Sequence, residues 1–283
     1  MTLYAGLPSP IHLPECPNEN DALAFSGGQF VKRALPLYSL DLQVPLPPFA
    51  NTAGRSQVTP LTGVRTLVAV ISGQSPAACC SDVQKVAGNL NVLNFSILDG
   101  KFYQARDPLL GCSTQQGGGS WLVPFGDLAM ASGNWDQVIL VPIAIDGQAI
   151  DAFVNGTCRT LWPVAINRLW QAGLIPDVWF WQQGQSDADV TSATVYRDKL
   201  WALVAFMRAY GIGCPFGIIK NSRINGVHAN VREGQDLAVS ESLGISIAYD
   251  SDALGLAYRS TPTDAHWNDA GQVENATQAL NWL

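Results

Sequence analysis

Charge is scarce in this chain. Asp, Glu, Lys and Arg together make up 14% of its 283 residues, against 47% apolar residues. That balance excludes a disordered polyelectrolyte and requires a packed core. The length suits one large α/β domain, or a domain with an appendage. The formal net charge is −7, the pI is near 4.8, and Lys and Arg form no cluster. Nucleic acid is therefore not expected as a partner, because nothing is grouped to neutralise phosphates. No apolar run reaches the length of a membrane span, so no membrane partner is expected. The first residues, MTLYAGLPSPIHLPE, lack a basic stretch followed by an apolar core. No secretory signal is expected, and the cytoplasm is the default placement. Internal repeats and low-complexity segments are missing as well.

Histidine is equally sparse. There are three, His12, His228 and His266, so any histidine base is one of these. The six cysteines (Cys16, Cys79, Cys80, Cys112, Cys158 and Cys214) match no zinc spacing. Adjacent Cys79 and Cys80 are poorly placed for an ordinary bridge, so buried, reduced thiols are the default, while the even count leaves a disulfide open.

Residues 1–60 differ in character from the rest. Nine prolines, from Pro8 to Pro60, mark extended, turn-rich chain with short strands at 29–31 and 37–44. This reads as an arm or small β appendage, leaving 61–283 as the main domain. From Val64 onward strands alternate with helices. The apolar, β-branched runs place strands at 66–71, 91–97, 137–141, 177–182, 215–220 and 245–249. Helices are expected at 76–88, 121–132, 161–172, 192–210, 227–242 and 269–283. Ser75, Ser120, Thr160, Thr191 and Asn268 stand as caps before five of them. Alternation of this kind implies an α/β class: a three-layer α/β/α sandwich with a mostly parallel central sheet. Sites in such sheets lie beyond the carboxyl ends of the strands.

Three stretches carry chemistry. Gly73-Gln74-Ser75-Pro76 ends the first core strand; Trp181-Gln182-Gln183-Gly184-Gln185-Ser186-Asp187 follows a middle strand; Thr263-Asp264-Ala265-His266 leads into the last helix. Serine first and histidine last, with an acid close to the histidine, suits a hydrolytic triad on an open sheet. A glutamine side chain at the second strand end is suited to donate to an oxyanion. Each has a plainer role too. Ser75 before Pro76 is a good helix N-cap. His266 fits an ordinary loop, Gln183 a buried amide, Gly117 to Gly119 a turn, and Asp187 a cap. Trp121, Trp179, Trp181 and Trp267 fit the core better than a sugar-stacking platform. His228 reads as a helix-opening surface or rim residue.

Together these blocks resemble the SGNH (GDSL-like) hydrolases, in the branch of sialate O-acetylesterases and carbohydrate acetylesterases. The branch carries G-Q-S-N, W-x-Q-G-E-S-D and D-x-x-H in this order. Asp107-Pro108-Leu109, Gly117-Gly118-Gly119-Ser120-Trp121 and Val231-Arg232-Glu233-Gly234-Gln235 also look like the branch, and the likeness spans roughly residues 64–283. The resemblance implies Ser75 as nucleophile and His266 as its base. It also implies oxyanion donors at the Ser75 N–H, at Gly118 or Gly119, and at the Gln183 side chain. No metal or organic cofactor is implied.

The departures are specific. Pro76 stands for asparagine, Gln185 for glutamate, and Asp146-Gly147 for Gly-Gly. Thr263, not aspartate, lies three before His266, leaving Asp264 two before it as the nearest acid. Asp264 as the triad acid, or a Ser-His dyad with a backbone carbonyl on the imidazole, both stay open. The expected activity is a serine esterase removing acetyl groups from hydroxyls of a carbohydrate through an acyl-serine. Its partner is then an acetylated carbohydrate or a small ester. The rivals are a degenerate carbohydrate-binding module and a short-chain esterase for non-sugar esters.

Overall fold

The computed structural model describes residues 21–26, 29–34, 50–115, 117–260 and 265–283. Strands β1 (Asp21–Ser26) and β2 (Gln29–Ala34) pair antiparallel as a two-stranded ribbon. The strand read at 29–31 lies within β2, whereas 37–44 falls outside the described residues.

The main sheet has seven strands. They are β3 (Thr66–Gly73), β4 (Val92–Ser96), β5 (Lys101–Gln104), β6 (Gln137–Ala144), β7 (Val178–Gln182), β8 (Phe216–Lys220) and β9 (Ile245–Asp250). Their order is β5-β4-β6-β3-β7-β8-β9. Every pairing is parallel except β4 with β5. This is the mostly parallel α/β sheet expected of an SGNH-type hydrolase. Residues 56–58 run beside the antiparallel edge: Val58 N–H bonds Phe102 O at 2.9 Å and Gln104 N–H bonds Ser56 O at 3.0 Å. An otherwise open edge is thereby covered.

Alternation along β3 divides the core. Val68 and Val70 face one cluster, while Leu67, Ala69 and Ile71 face the other. The period of two in strand side chains makes this unavoidable for a strand buried on both faces. The first face is covered by α2 (Ile150–Val154), α3 (Leu161–Gln171), α4 (Ala193–Ala209) and α5 (Ala229–Leu237); the second by α1 (Leu122–Ala131) and α6 (Asp269–Trp282). Trp162 of α3 packs on Trp179 and Trp181 of β7 with ring centroids at 4.6 and 6.0 Å. Each such pair adds about 0.5–1.5 kcal/mol beyond area burial. All four tryptophans read as core are fully buried.

One expected helix is missing. After β3, residues 75–78 form a turn and no helix follows through 88. The reason lies in the partners of the backbone. Cys79 N–H bonds Ser113 O, Ser81 N–H bonds Gly119 O, Asp82 N–H bonds Trp267 O and Ala87 N–H bonds Ala105 O, at 2.9–3.1 Å. Distant segments take the donors that a helix would need for its own i−4 carbonyls. The cap readings shift accordingly. Asn268 accepts from Gly271 N as expected, Ser192 rather than Thr191 caps α4, and α1 and α3 have no side-chain cap. The helix expected at 227–242 stops at Leu237, because Ser240 pairs with Ile245. The five described cysteines, Cys79, Cys80, Cys112, Cys158 and Cys214, are free and buried.

Candidate active site

The site is built where β3 and β7 end side by side. Gly73 has φ +141°, and a Cβ there would meet Gln182 O at 2.0 Å. Only glycine allows β3 to approach β7 this closely as the chain turns. Ser75 follows in a tight turn closed by Ala77 N–H to Gln74 O at 2.9 Å and Ala78 N–H to Ser75 O at 3.1 Å. Its side chain is nearly buried.

Gln74 ties that turn to the end of β7. Its Oε1 accepts from Gln183 Nε2 at 3.0 Å, Gly184 N at 3.2 Å and Ser186 N at 3.1 Å. Gln183 is fully buried, and its orientation is set from both ends. The Tyr196 hydroxyl donates to Gln183 Oε1 at 2.8 Å, while Gln183 Nε2 also faces Asp187 Oδ2 at 2.6 Å and Gln148 O at 3.1 Å. Two amide hydrogens thus meet three acceptors. Asp187 is held in turn by Ile150 N and Thr191 Oγ1. It is therefore a fixed partner of Gln183 as well as the acceptor at the start of α2. Burial pushes the Tyr196 phenol up, keeping it neutral and able to donate.

His266 lies in the loop before α6. Its neighbour Trp267 is fully buried and donates its indole N–H to Pro76 O at 3.3 Å. The residue after the histidine thereby touches the residue after Ser75. The loops bearing Ser75, Gln183 and His266 meet at one end of the sheet. Asp264 lies outside the described residues.

The glycine segment closes on itself. Gly118 N–H donates to Gln115 O at 3.0 Å and Gly119 N–H to Ser81 O at 2.9 Å. In this conformation neither is offered to Ser75. A Cβ on Gly119 would meet Val83 O at 1.9 Å, so the segment's glycine here answers a packing need. Gln185, which replaces the branch's glutamate, forms a reciprocal amide pair with Asn221, both bonds at 2.9 Å.

Sequence reasoning gave no role to two buried ionisable residues beside these loops. Asp107 accepts from Ser120 N and Oγ and from Lys85 N, and burial pushes its carboxyl up to about 7. Arg259 lies against Trp267, its guanidinium carbon 3.6 Å from the ring centroid. The Asp107-Pro108-Leu109 motif was a signal for the first; a lone arginine gave none for the second. His228 stands at the start of α5 with Nδ1 2.9 Å from Asp189 and Nε2 2.8 Å from Ile224 O. An open groove lined by Val227, Arg232, Glu233 and Leu237 runs along α5 and contains none of Ser75, Gln183 and His266. Among the described residues, no group of His, Cys, Asp and Glu is arranged to hold a metal ion, and no helix is long and apolar enough to cross a membrane.

The mostly parallel seven-stranded sheet is that of the SGNH-type hydrolases, and its family makes the chain a carboxylic ester hydrolase. The family model described as carbohydrate esterase, sialic acid-specific acetylesterase matches residues 65–278, and the chain belongs to that family. The family acts in carbohydrate deacetylation. No curated protein matches the chain. Among solved structures it is similar to a protein of Arabidopsis thaliana, at 20% identity and TM-score 0.60, over 77% of this chain and 98% of that one. It is also similar to NanS, at 14% identity and TM-score 0.53, over 77% and 98%. A carbohydrate acetylesterase from Xanthomonas citri matches at 18% identity and TM-score 0.51, over 75% of this chain and 54% of its own. At such identities these likenesses speak for the fold.

Proposed function

We propose that the protein removes acetyl groups from sugar hydroxyls, with Ser75 as nucleophile and His266 as base. One observation supports Ser75 above the others. The competing role for this serine was a helix N-cap, and no helix follows it. It sits instead on a turn that strand β3 drives against the Gln183 loop.

Serine is a weak nucleophile until a base takes its proton. In the proposed reaction the His266 imidazole accepts the Ser75 hydroxyl proton as Oγ attacks the acetyl carbonyl carbon. The carbonyl π pair moves to oxygen. Collapse breaks the bond to the sugar oxygen, which leaves with the proton from His266. Water then repeats the sequence on the acetyl-serine, releasing acetate and restoring Ser75.

The oxyanion needs fixed donors, each worth on the order of 10²–10³ in turnover. The Ser75 N–H is not used by the turn's own bonds, and Gln183 Nε2 becomes a second donor where the oxyanion displaces one of its three acceptors, Gln74 Oε1, Gln148 O and Asp187 Oδ2. Gly118 or Gly119 becomes a third only on release of its carbonyl partner. Asp264 remains the proposed acid, with a Ser75–His266 dyad as the alternative.

A serine-directed phosphonate tests the assignment. It should label Ser75 in the native protein, and much more slowly after His266→Ala. Labelling at another residue would end it. Substrate choice is read from chain length. Acetate esters should turn over faster than octanoate esters, and acetylated sugars should compete with aryl acetate. Equal rates on octanoate would favour a non-sugar ester.

A further inference from the structure

We propose that Arg259 is a positioning residue that fixes the His266 loop against the Ser75 turn. The inference rests on the reading of His266 as the base. Arg259 is 3% exposed and grips both sequence neighbours of the histidine. Its Nη1 donates to Ala265 O at 2.8 Å, on the N-terminal side. Its guanidinium lies over the ring of Trp267, on the C-terminal side. The backbones of residues 259 and 267 also pair antiparallel, and Ser260 N–H bonds His266 O at 3.2 Å.

The same guanidinium is anchored to the sheet. Its Nη2 donates to Ser251 O at 2.7 Å, and Ser251 Oγ donates to Lys220 O, the last residue of β8, at 2.7 Å. A planar fork that serves two carbonyls and stacks on an indole at once is specific to arginine. The line of contact therefore runs from the end of β8 through Arg259 to both sides of His266, and through Trp267 to Pro76. A histidine displaced by a fraction of an ångström loses proton transfer before it loses substrate binding.

The test compares Arg259→Lys, Arg259→Met and His266→Ala on an aryl acetate and an alkyl acetate, with thermal unfolding followed in parallel. The alkyl ester needs its leaving oxygen protonated by the base; the aryl ester does so far less. Arg259→Lys should lower kcat by about tenfold or more with KM within about threefold, and the loss should be larger on the alkyl ester. Unchanged kcat, an equal loss on both esters, or a rise in KM alone would overturn the proposal. So would failure of both Arg259 variants to fold, which would make the residue a structural one. Should His266→Ala retain turnover, it is the reading of His266 that fails. Should His266→Ala be inactive while Arg259→Lys keeps its kcat, only the role of Arg259 fails.

Discussion

The indole N–H of Trp267 donates to the carbonyl of Pro76 at 3.3 Å, joining the residue after His266 to the residue after Ser75. These positions are 191 residues apart in sequence, and this is the contact that brings the first and last motifs together. Trp267→Phe keeps an aromatic ring against Arg259, removes the N–H and leaves a gap where the fully buried indole was larger. A stability loss of about 0.5–1.5 kcal/mol is expected for the hydrogen bond, with a cavity cost of about 1 kcal/mol or more added to it. Urea unfolding measures it, and turnover should fall with the fold intact.

Asp187 gives a sharper case. Its Oδ2 accepts from Gln183 Nε2 and Ile150 N, and its Oδ1 from Thr191 Oγ1. An asparagine can keep its carbonyl oxygen on Gln183 and Ile150 and give its amide to the Thr191 hydroxyl, which also accepts, so alanine is the informative change. Asp187→Ala should cost about 1–3 kcal/mol for the buried donors left without an acceptor. Because Gln183 is thereby released, kcat on an aryl acetate should fall as well. Equal stability and turnover in the variant would show that Asp187 does not hold Gln183.

Two glycines with left-handed backbones separate strain from collision. Gly133 has φ +73° with open space around its missing Cβ, whereas Gly73 has φ +141° and Gln182 O at 2.0 Å. Gly133→Ala should cost roughly 1–2 kcal/mol, the left-handed penalty alone. Gly73→Ala should cost much more and separate β3 from β7, abolishing activity. Thermal unfolding and soluble yield compare the two directly.

Much of this architecture was legible in advance. The β-branched run at β3 and the tryptophan-rich β7 announced themselves by composition, and the Asn268 cap marked the start of α6. The stretch after Ser75 misled because Ser75-Pro76 followed by Ala77 and Ala78 favours a helix locally. Pairing with Ser113, Gly119 and Trp267 overrides that preference, and those partners are distant in sequence. Strand β5 was missed although Asp99-Gly100, after Ile97-Leu98 and one residue before Phe102-Tyr103, is a hairpin signal that points to it. The blocks bearing Ser75, Gln183 and His266 were legible as strand-end loops, and those loops meet through Gln74 with Gln183 and Pro76 with Trp267. The engagement of the Gly118 and Gly119 N–H groups was not, since a glycine run says nothing about which carbonyl it meets.

Stability should depend on pH through Asp107. Burial raises its carboxyl from the ordinary 3.8 to about 7. Ser120 Oγ, 2.7 Å from Oδ1, can accept the proton when the group is neutral. Below the ordinary carboxylate value both folded and unfolded chains hold the proton, and this contribution is complete. As pH rises toward 7 the unfolded chain releases it first, so the contribution declines, and above 7 it is gone. Denaturant midpoints across that window should fall with pH, and Asp107→Asn should flatten the slope. A wild-type slope of the opposite sign in that window, unchanged by the substitution, would contradict the shift.

The central claim is that Ser75 forms the acyl-enzyme, and hydrolysis of an aryl acetate by Ser75→Ala tests it most directly. The variant lacks only a hydroxyl on a turn held by backbone bonds, so its unfolding midpoint should match wild type. Its turnover should fall by about 10⁴-fold or more, as when a triad nucleophile is removed, and no acetyl adduct should appear on the peptide bearing residue 75. A folded Ser75→Ala protein that cleaves the ester at the wild-type rate would contradict the account.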